Sequence, residues 1–337
     1  MKSVTMGNSL RMLLTACAAL FISVGCTTTS KMAKPLSDFS VATTDATTVT
    51  TFALSIVQAA DQEEAIINAS KLTELREEDV LPVFRPNDLL QRQLTLQALS
   101  TYAATLKSLS GVDRSADIQK SFDSLKTSME STATSITKLS EASKAPIPSG
   151  VVSSLVALGS IPVVAYSVGE REKAIRTALQ TNDNAIAGIC RLLAAELEPR
   201  GMIYKQLQHA YRRQEEAAID SFKAAAAPKA NEGAPEKGKP TPPDQAPNGE
   251  AKDQNKPPAA PKPSELAPIA KTFIGVRNKK EYSLALLSSL ASTYRKLAHA
   301  HTALKAQSET GAKSDIQLKA LAVEIDNVKF FYSQIPK

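Results

Sequence analysis

Residues 118–139 read IQKSFDSLKTSMESTATSITKL, and side chains that are apolar or carry a methyl group recur there at alternating intervals of four and three residues. The members of this stripe are Ile118, Phe122, Leu125, Met129, Thr132, Ile136 and Leu139. Because an α-helix completes a turn in 3.6 residues, this spacing places the whole set on one side of a helix. The stretch therefore predicts a long helix with one narrow apolar seam, of the kind that packs lengthwise against another helix.

Stripes with similar spacing recur in five further segments of the chain. Their members are Leu96, Leu99, Ala103, Leu106 and Leu109; Ile186, Cys190, Leu193 and Leu197; Ile203, Leu207, Ala210 and Gln214; Leu284, Leu287, Ala291, Tyr294, Leu297, His301 and Leu304; and Leu318, Leu321, Ile325, Val328 and Tyr332. No segment combines strict alternation with β-branched residues, so no sheet is predicted. The fold class is predicted to be all-α, an antiparallel bundle of long helices.

Local signals predict where some of these helices begin and end. Pro86-Asn87-Asp88 opens the helix that carries the 96–109 stripe, and Gly111 closes it. Ser314 and Gln317 have the spacing of a capping box at the start of the last helix. An earlier helix, or a pair of helices, is predicted over about Thr44 to Glu78.

The N-terminus has the pattern of a secretory signal. Lys2 and Arg11 precede an apolar run from Met12 to Val24, which is followed by Gly25 and Cys26. The residues Ser23-Val24-Gly25-Cys26 resemble the cleavage site of a bacterial lipoprotein signal, in which the Cys becomes lipidated. The pattern departs from the family at Ser23, where Leu is commoner. Leu14-Thr15-Ala16-Cys17 is a second candidate site, with a shorter apolar run before it.

The resemblance implies where the protein is located. A lipidated Cys26 would carry several acyl chains, palmitate among them, and together these hold a protein stably on a membrane. Thr27 is not the Asp that retains such proteins at the inner membrane. We therefore expect a cell-envelope protein that is anchored in the outer membrane and faces the periplasm.

The chain is predicted to divide into five parts. These are a signal peptide (1–25), a lipidated Cys with a flexible tether (26–43), a helical bundle (44–223), a disordered insertion (224–265) and C-terminal helices that complete the bundle (266–337). The insertion contains 10 of the 19 prolines in the chain, and its Lys and acidic residues balance. Such a composition has too few apolar side chains to form a core.

The most apolar stretch after the signal is Pro148 to Gly169, which reads PSGVVSSLVALGSIPVVAYSVG. Its serines and its internal Gly and Pro favour a helix that is buried in the bundle over one that contacts a membrane or a partner. The sequence leaves both readings open.

Composition and motifs offer no catalytic site, metal site or cofactor. The net charge of +6 and an aromatic content of 5% do not favour nucleic-acid binding. His299 and His301 are two residues apart, so on a helix they cannot share a metal. His301 and Cys190 lie on apolar stripes and are expected in the core, and His209 is expected on a solvated face. The basic clusters Arg212-Arg213 and Arg277-Asn278-Lys279-Lys280 are also expected on solvated faces.

The function that fits these expectations is non-enzymatic. A lipid-anchored bundle would bind an envelope partner as a scaffold or assembly factor, through a face with more apolar side chains than its core can bury, for example within 148–169 or 200–222. The alternative is an immunity or exclusion lipoprotein that neutralises a toxin in the periplasm. The sequence does not indicate the oligomeric state.

Overall fold

The structure, a computed structural model, describes residues 31–70, 86–111, 168–227 and 263–336, with six single residues between 123 and 137. The helices in these ranges are α1 (Ala33–Ala69), α2 (Pro86–Gly111), α3 (Val168–Leu197), α4 (Met202–Ala226), α5 (Pro263–Thr310) and α6 (Asp315–Gln334). The described part contains no strand, and its helices pack against one another. The predicted all-α bundle is confirmed.

Two helices organise the bundle. Helix α5 packs against α1, α3, α4 and α6, whereas α1 packs against α2, α4, α5 and α6. Helix α5 has 48 residues, which corresponds to a length of about 72 Å. It is therefore long enough to run beside two shorter helices placed end to end.

Helices α3 and α4 form such a broken column, antiparallel to α5. Asp183 on α3 pairs with Lys305, and Glu215 on α4 pairs with Lys280, so residue numbers rise along the column as they fall along α5. The break lies at Gly201, whose N–H donates to the carbonyl of Glu198 at 2.7 Å. A Cβ at this glycine would overlap backbone carbonyl oxygens of the last turn of α3.

Side-chain pairs also fix the direction of α1. Thr50 bonds to Tyr294 and Phe39 lies against His301, so α1 runs antiparallel to α5. Glu64 pairs with His209, and the preceding turns of both helices meet as well, so α1 runs parallel to α4. We call the end of the bundle where α1 begins and α5 ends the base.

Helices α4 and α5 continue past the end of α1. The Glu64–His209 pair places Ala69, where α1 ends, level with Gln214. Beyond this level lie residues 215–226 of α4 and 264–280 of α5, which we call the projection. Every residue of the projection with a described side chain is half-buried or exposed, whereas Gln214 is buried. The projection therefore consists of two helices that stand outside the core.

The predicted stripes within the described ranges form the core. All members of the 96–109, 186–197 and 203–214 stripes are buried, and in the last two stripes only Leu284 and Tyr332 are half-buried. The structure describes α2 over Pro86–Gly111, the whole of the span that was predicted for this helix. The capping box is wrong, because the Ser314 hydroxyl donates to the side chain of Gln307 at 2.5 Å and makes no cap hydrogen bond.

The predicted flexible tether over 26–43 is wrong from Ala33 onward, because α1 begins there. Leu36 and Phe39 are fully buried, and they anchor a segment that is otherwise rich in polar residues. Thr43 donates its hydroxyl to the carbonyl of Phe39 at 2.7 Å, so a buried Thr is satisfied within the helix itself. The helix predicted to begin at about Thr44 therefore starts eleven residues earlier.

Several predictions fall outside the described residues. These are the signal peptide with Cys17 and Cys26, the seam residues of 118–139, the apolar stretch 148–167 and residues 228–262 of the insertion. The insertion was predicted too long at both ends, since α4 reaches Ala226 and α5 begins at Pro263. Within 118–139 six helical residues are described, and none of them belongs to the predicted seam. Ala133 is buried, whereas the other five are exposed: Asp123, Thr127, Glu130, Thr134 and Thr137.

Candidate functional site

A chain of polar side chains links three helices near the base. The hydroxyl of Tyr102 on α2 lies 2.7 Å from Nε2 of His301 on α5. Nδ1 of His301 lies 3.1 Å from Oδ1 of Asp183 on α3. The same carboxylate accepts from the hydroxyl of Thr302 at 3.0 Å and from Nζ of Lys305 at 3.1 Å. Five side chains from three helices thus form one network, which we call the base network.

Burial and charge set the protonation states of this network. The His301 ring is fully buried, and burial lowers its pKa, partly opposed by the hydrogen bond to Asp183. The hydrogen bond from His301 holds the pKa of Asp183 below its ordinary value, and Lys305 and Thr302 contribute in the same direction. A neutral ring with its proton on Nδ1 would donate to Asp183 and accept from Tyr102. Burial raises the pKa of the Tyr102 phenol, so this group remains a donor.

The order Asp–His–hydroxyl is one that can activate a nucleophile, but its surroundings here favour a structural role. Tyr102 and His301 are both buried, and the ring of Phe39 lies 5.9 Å from that of His301. Neither Tyr102 nor His301 lines the two grooves that flank α6 or the groove between α4 and α5. The network thus fixes how α2, α3 and α5 pack, because each polar atom requires its partner.

His301 was predicted as a hydrogen-bonded core residue, but its partners were missed. Its partners Tyr102 and Asp183 lie on two other helices, α2 and α3, so these hydrogen bonds depend on the order of the helices in space. One signal was available: Asn182 lies three residues after Leu179 and four before Ile186, on the apolar side of α3. It is fully buried, and its Nδ2 donates to the carbonyl of Ala178 at 2.7 Å. A polar residue on an apolar stripe indicates a polar site inside the bundle.

The other candidate residues are also placed. Cys190 is buried, as predicted, and burial raises the pKa of its thiol. His299 is exposed. His209 has a side chain that is 54% exposed and lies 2.8 Å from the carboxylate of Glu64. None of these side chains approaches another in a way that builds a catalytic arrangement.

The two basic clusters lie on facing helices where the projection begins. Arg212 and Arg213 both bond to Glu216, Arg277 bonds to Glu281, and Lys280 bonds to Glu215 across the two helices at 2.7 Å. The hydrogen bond from Arg212 lowers the pKa of Glu216. In each cluster two basic side chains therefore pair with carboxylates, as expected of a solvated face.

The projection itself carries exposed apolar side chains. Ile219 is 39% exposed, Phe222 is 38% exposed and Ile274 is 56% exposed. A groove of about 460 Å³ between α4 and α5 is lined by Ile219 and Phe273 and edged by the charged pairs described above. Two helices have too few faces to enclose a core, so apolar side chains between and beside them remain accessible. Residues 200–222 were one of the two segments where more apolar side chains were expected than the core can bury. Ile219 and Phe222 are such side chains, because both are exposed.

No protein-family model, no curated protein and no solved structure matches the chain. The described residues contain no group of three His, Cys, Asp or Glu side chains that could hold a metal ion. In the same ranges, each helix is either too short or too polar to cross a bilayer. The projection and the base network are the two distinctive features of the described part of the chain.

Proposed function

We propose that this chain is a non-enzymatic lipoprotein, anchored through Cys26 in the outer membrane and facing the periplasm, that binds an envelope partner through its projection. The anchor rests on the sequence around Cys26. The partner rests on the apolar side chains of the projection. The lengths of the helices connect the two parts of the proposal.

The anchor would lie close to the base of the bundle. Seven positions separate Cys26 from Ala33, the first residue of α1. Even a fully extended segment of that length spans at most about 25 Å. A lipidated Cys26 would therefore keep the base near the membrane surface.

The projection would then extend away from the membrane. Helix α1 has 37 residues, so it rises about 55 Å from the base. The twelve projection residues of α4 add about 18 Å beyond the end of α1. Side chains such as Phe222 would stand about 70 Å from the base, far enough to reach a partner across part of the periplasm.

The observation that carries this proposal is the placement of exposed apolar side chains on the projection. Ile219, Phe222 and Ile274 lie on the part of α4 and α5 that extends past α1. An exposed apolar surface on a soluble domain commonly marks an interaction site, particularly when it is rimmed by charged groups. Lys280, Glu215 and Glu216 supply such a rim here.

Two variants test the anchor and the surface separately. Cys26→Ser should abolish incorporation of labelled palmitate and release the protein from membranes. The triple variant Ile219→Asp, Phe222→Asp, Ile274→Asp should keep the lipid and the helical circular dichroism. It should lose the partner that co-purifies with the wild-type protein after crosslinking in cells.

Palmitate labelling that persists in Cys26→Ser, with Cys17 as the alternative site, would contradict lipidation at Cys26. A complex unaffected by the triple variant would contradict the role of the projection.

A further inference from the structure

Helix α6 has two apolar faces, and only one of them belongs to the core. Leu318, Leu321, Ile325 and Val328 are buried against the bundle. Large apolar side chains on the other side of the helix are among the most exposed of the described chain: Ile316 is 78% exposed, Val323 is 59% exposed and Phe330 is 57% exposed. At 100° per residue, Val323 points almost directly opposite the centre of the core face.

The outer face has the heptad pattern of a coiled coil. Ile316, Val323 and Phe330 are seven residues apart and occupy d positions. Ala320 and Asn327 lie between them, at the a positions. One Asn at an a position is a known device that fixes the register and the two-stranded state of parallel coiled coils. We call this set of five residues the outer seam.

The charges beside the outer seam complement those of a second, parallel copy. Lys319 lies at a g position and Glu324 at the e position five residues later, which is the pair that meets between chains in a parallel coiled coil. Among the described residues, neither side chain takes part in an ion pair. Open grooves of about 650 Å³ and 440 Å³ flank α6, towards α1 and α5 respectively, and leave room for side chains of a partner.

The parallel arrangement matches side chains better than the antiparallel one. In a parallel pair, Asn327 meets Asn327 of the other copy, and each apolar residue meets its equivalent. In the antiparallel register that keeps like charges apart, Ile316 of one copy would pack against Asn327 of the other. An apolar side chain would then face a polar one.

We propose that two copies of this chain associate through the outer seam of α6 as a parallel two-stranded coiled coil, with Lys319 of each copy paired to Glu324 of the other. The proposed interface involves only α6 and its flanks, so the association does not require the lipid anchor. Helix α6 has 20 residues, about 30 Å, so the seam is short and the dimer should dissociate on dilution. Confinement of the copies to one membrane would raise the dimer population, since both helices would then point the same way.

Sedimentation of the full mature chain in detergent tests the association. The wild-type protein should show a concentration-dependent monomer–dimer equilibrium, and Val323→Glu should weaken it at least tenfold with unchanged helical circular dichroism. Ile66→Glu is the matched control, because Ile66 is 64% exposed on α1 and lies outside the seam. Lys319→Glu and Glu324→Lys should each weaken the dimer, and the double variant should restore it.

Cysteine crosslinking tests the orientation. Val323→Cys and Asn327→Cys should each form disulfide-linked dimers in detergent, whereas Leu90→Cys, at a comparably exposed site on α2, should not. A protein that stays monomeric up to its solubility limit would overturn the proposal. So would efficient linkage between an Ile316→Cys chain and an Asn327→Cys chain without linkage at Val323, because only an antiparallel pair brings those positions together.

Discussion

The hydroxyl of Tyr102 and Nε2 of His301 lie 2.7 Å apart across the interior of the bundle, although 199 positions separate the two residues in the chain. Both side chains are buried, so neither can exchange its partner for water. Asp183 completes the link on the other side of the imidazole ring. This relationship makes the base of the bundle a polar site enclosed in apolar packing, and its loss should be measurable in folding experiments.

Tyr102→Phe should destabilise the fold by about 1–3 kcal/mol. The substitution keeps the ring but leaves Nε2 of His301 as a buried acceptor without a donor, and such a group retains its desolvation cost. Urea unfolding at neutral pH measures the change. Tyr204→Phe, at a half-buried position on α4, is the matched control and should have a smaller effect. Equal losses in the two variants would show that the Tyr102–His301 bond contributes nothing specific.

Stability should fall on mild acidification because of His301. Burial lowers its folded-state pKa below the ordinary value of 6.5, so the unfolded state takes up the proton first. Lys305 adds to this shift and Asp183 opposes it. The stabilisation that follows from the lowered pKa of His301 is complete above pH 6.5. It is lost as the pH falls through that value towards the lowered pKa, by up to about 1.4 kcal/mol per pH unit. Asp183, whose pKa is also lowered, changes the stability only below pH 3.8, which is the ordinary value of its pKa.

Urea unfolding at a series of pH values between 7.5 and 5 checks this dependence. His301→Gln should flatten the decline, because the buried titrating group is gone. His299→Gln should leave it unchanged, since His299 is exposed two residues away on the same helix. A decline that survives His301→Gln would assign the pH dependence to another group.

Glu196→Ala should cost about 3 kcal/mol, because it removes both carboxylate acceptors from a buried guanidinium. Nε and Nη2 of Arg92 donate to the two carboxylate oxygens of Glu196 at 3.0 and 2.7 Å, and the Arg92 side chain is only 5% exposed. Replacing both members with apolar residues, Arg92→Met with Glu196→Leu, should recover most of the loss. Thermal and urea unfolding measure both variants. The exposed pair Arg277–Glu281 is the control, and Glu281→Ala should have little effect.

Two glycine substitutions should have opposite signs. Gly201→Ala should destabilise the fold by about 1–3 kcal/mol, because the new Cβ would overlap the carbonyl oxygens of Ala195 and Glu196.

Gly275→Ala should stabilise the fold by about 0.5–1 kcal/mol, because nothing lies within 4 Å of the new Cβ in the exposed part of α5. Comparing the urea midpoints of the two variants tests the break between α3 and α4. A harmless Gly201→Ala would mean that the break does not need a glycine.

Apolar spacing predicted the fold class and the core because burial acts on each helix separately. The stripes on α2, α3 and α4 needed no knowledge of their neighbours to be recognised. The polar composition of residues 26–43 wrongly predicted a flexible tether where α1 begins. Thr43 donates its hydroxyl to a carbonyl of the same helix, and Leu36 and Phe39 are buried in the core.

The candidate sites depend on the arrangement of helices, so the sequence predicted them incompletely. His301 could be placed in the core from its position on a stripe, but Asp183 and Tyr102 became its partners only through the packing of three helices. The projection could not be predicted either, because it depends on how far α4 and α5 extend beyond the end of α1.

Photocrosslinking in living cells from the projection is the most direct test of the proposed function. A photoreactive phenylalanine analogue in place of Phe222 keeps the aromatic ring at an exposed position. We expect one dominant crosslinked envelope protein, which should disappear both in Cys26→Ser and when Ile219 and Ile274 are changed to Asp. The same analogue at Leu90, an exposed position on α2, should not capture that protein. Absence of a crosslink from position 222, or the same product from position 90, would contradict the claim that the projection is the binding surface.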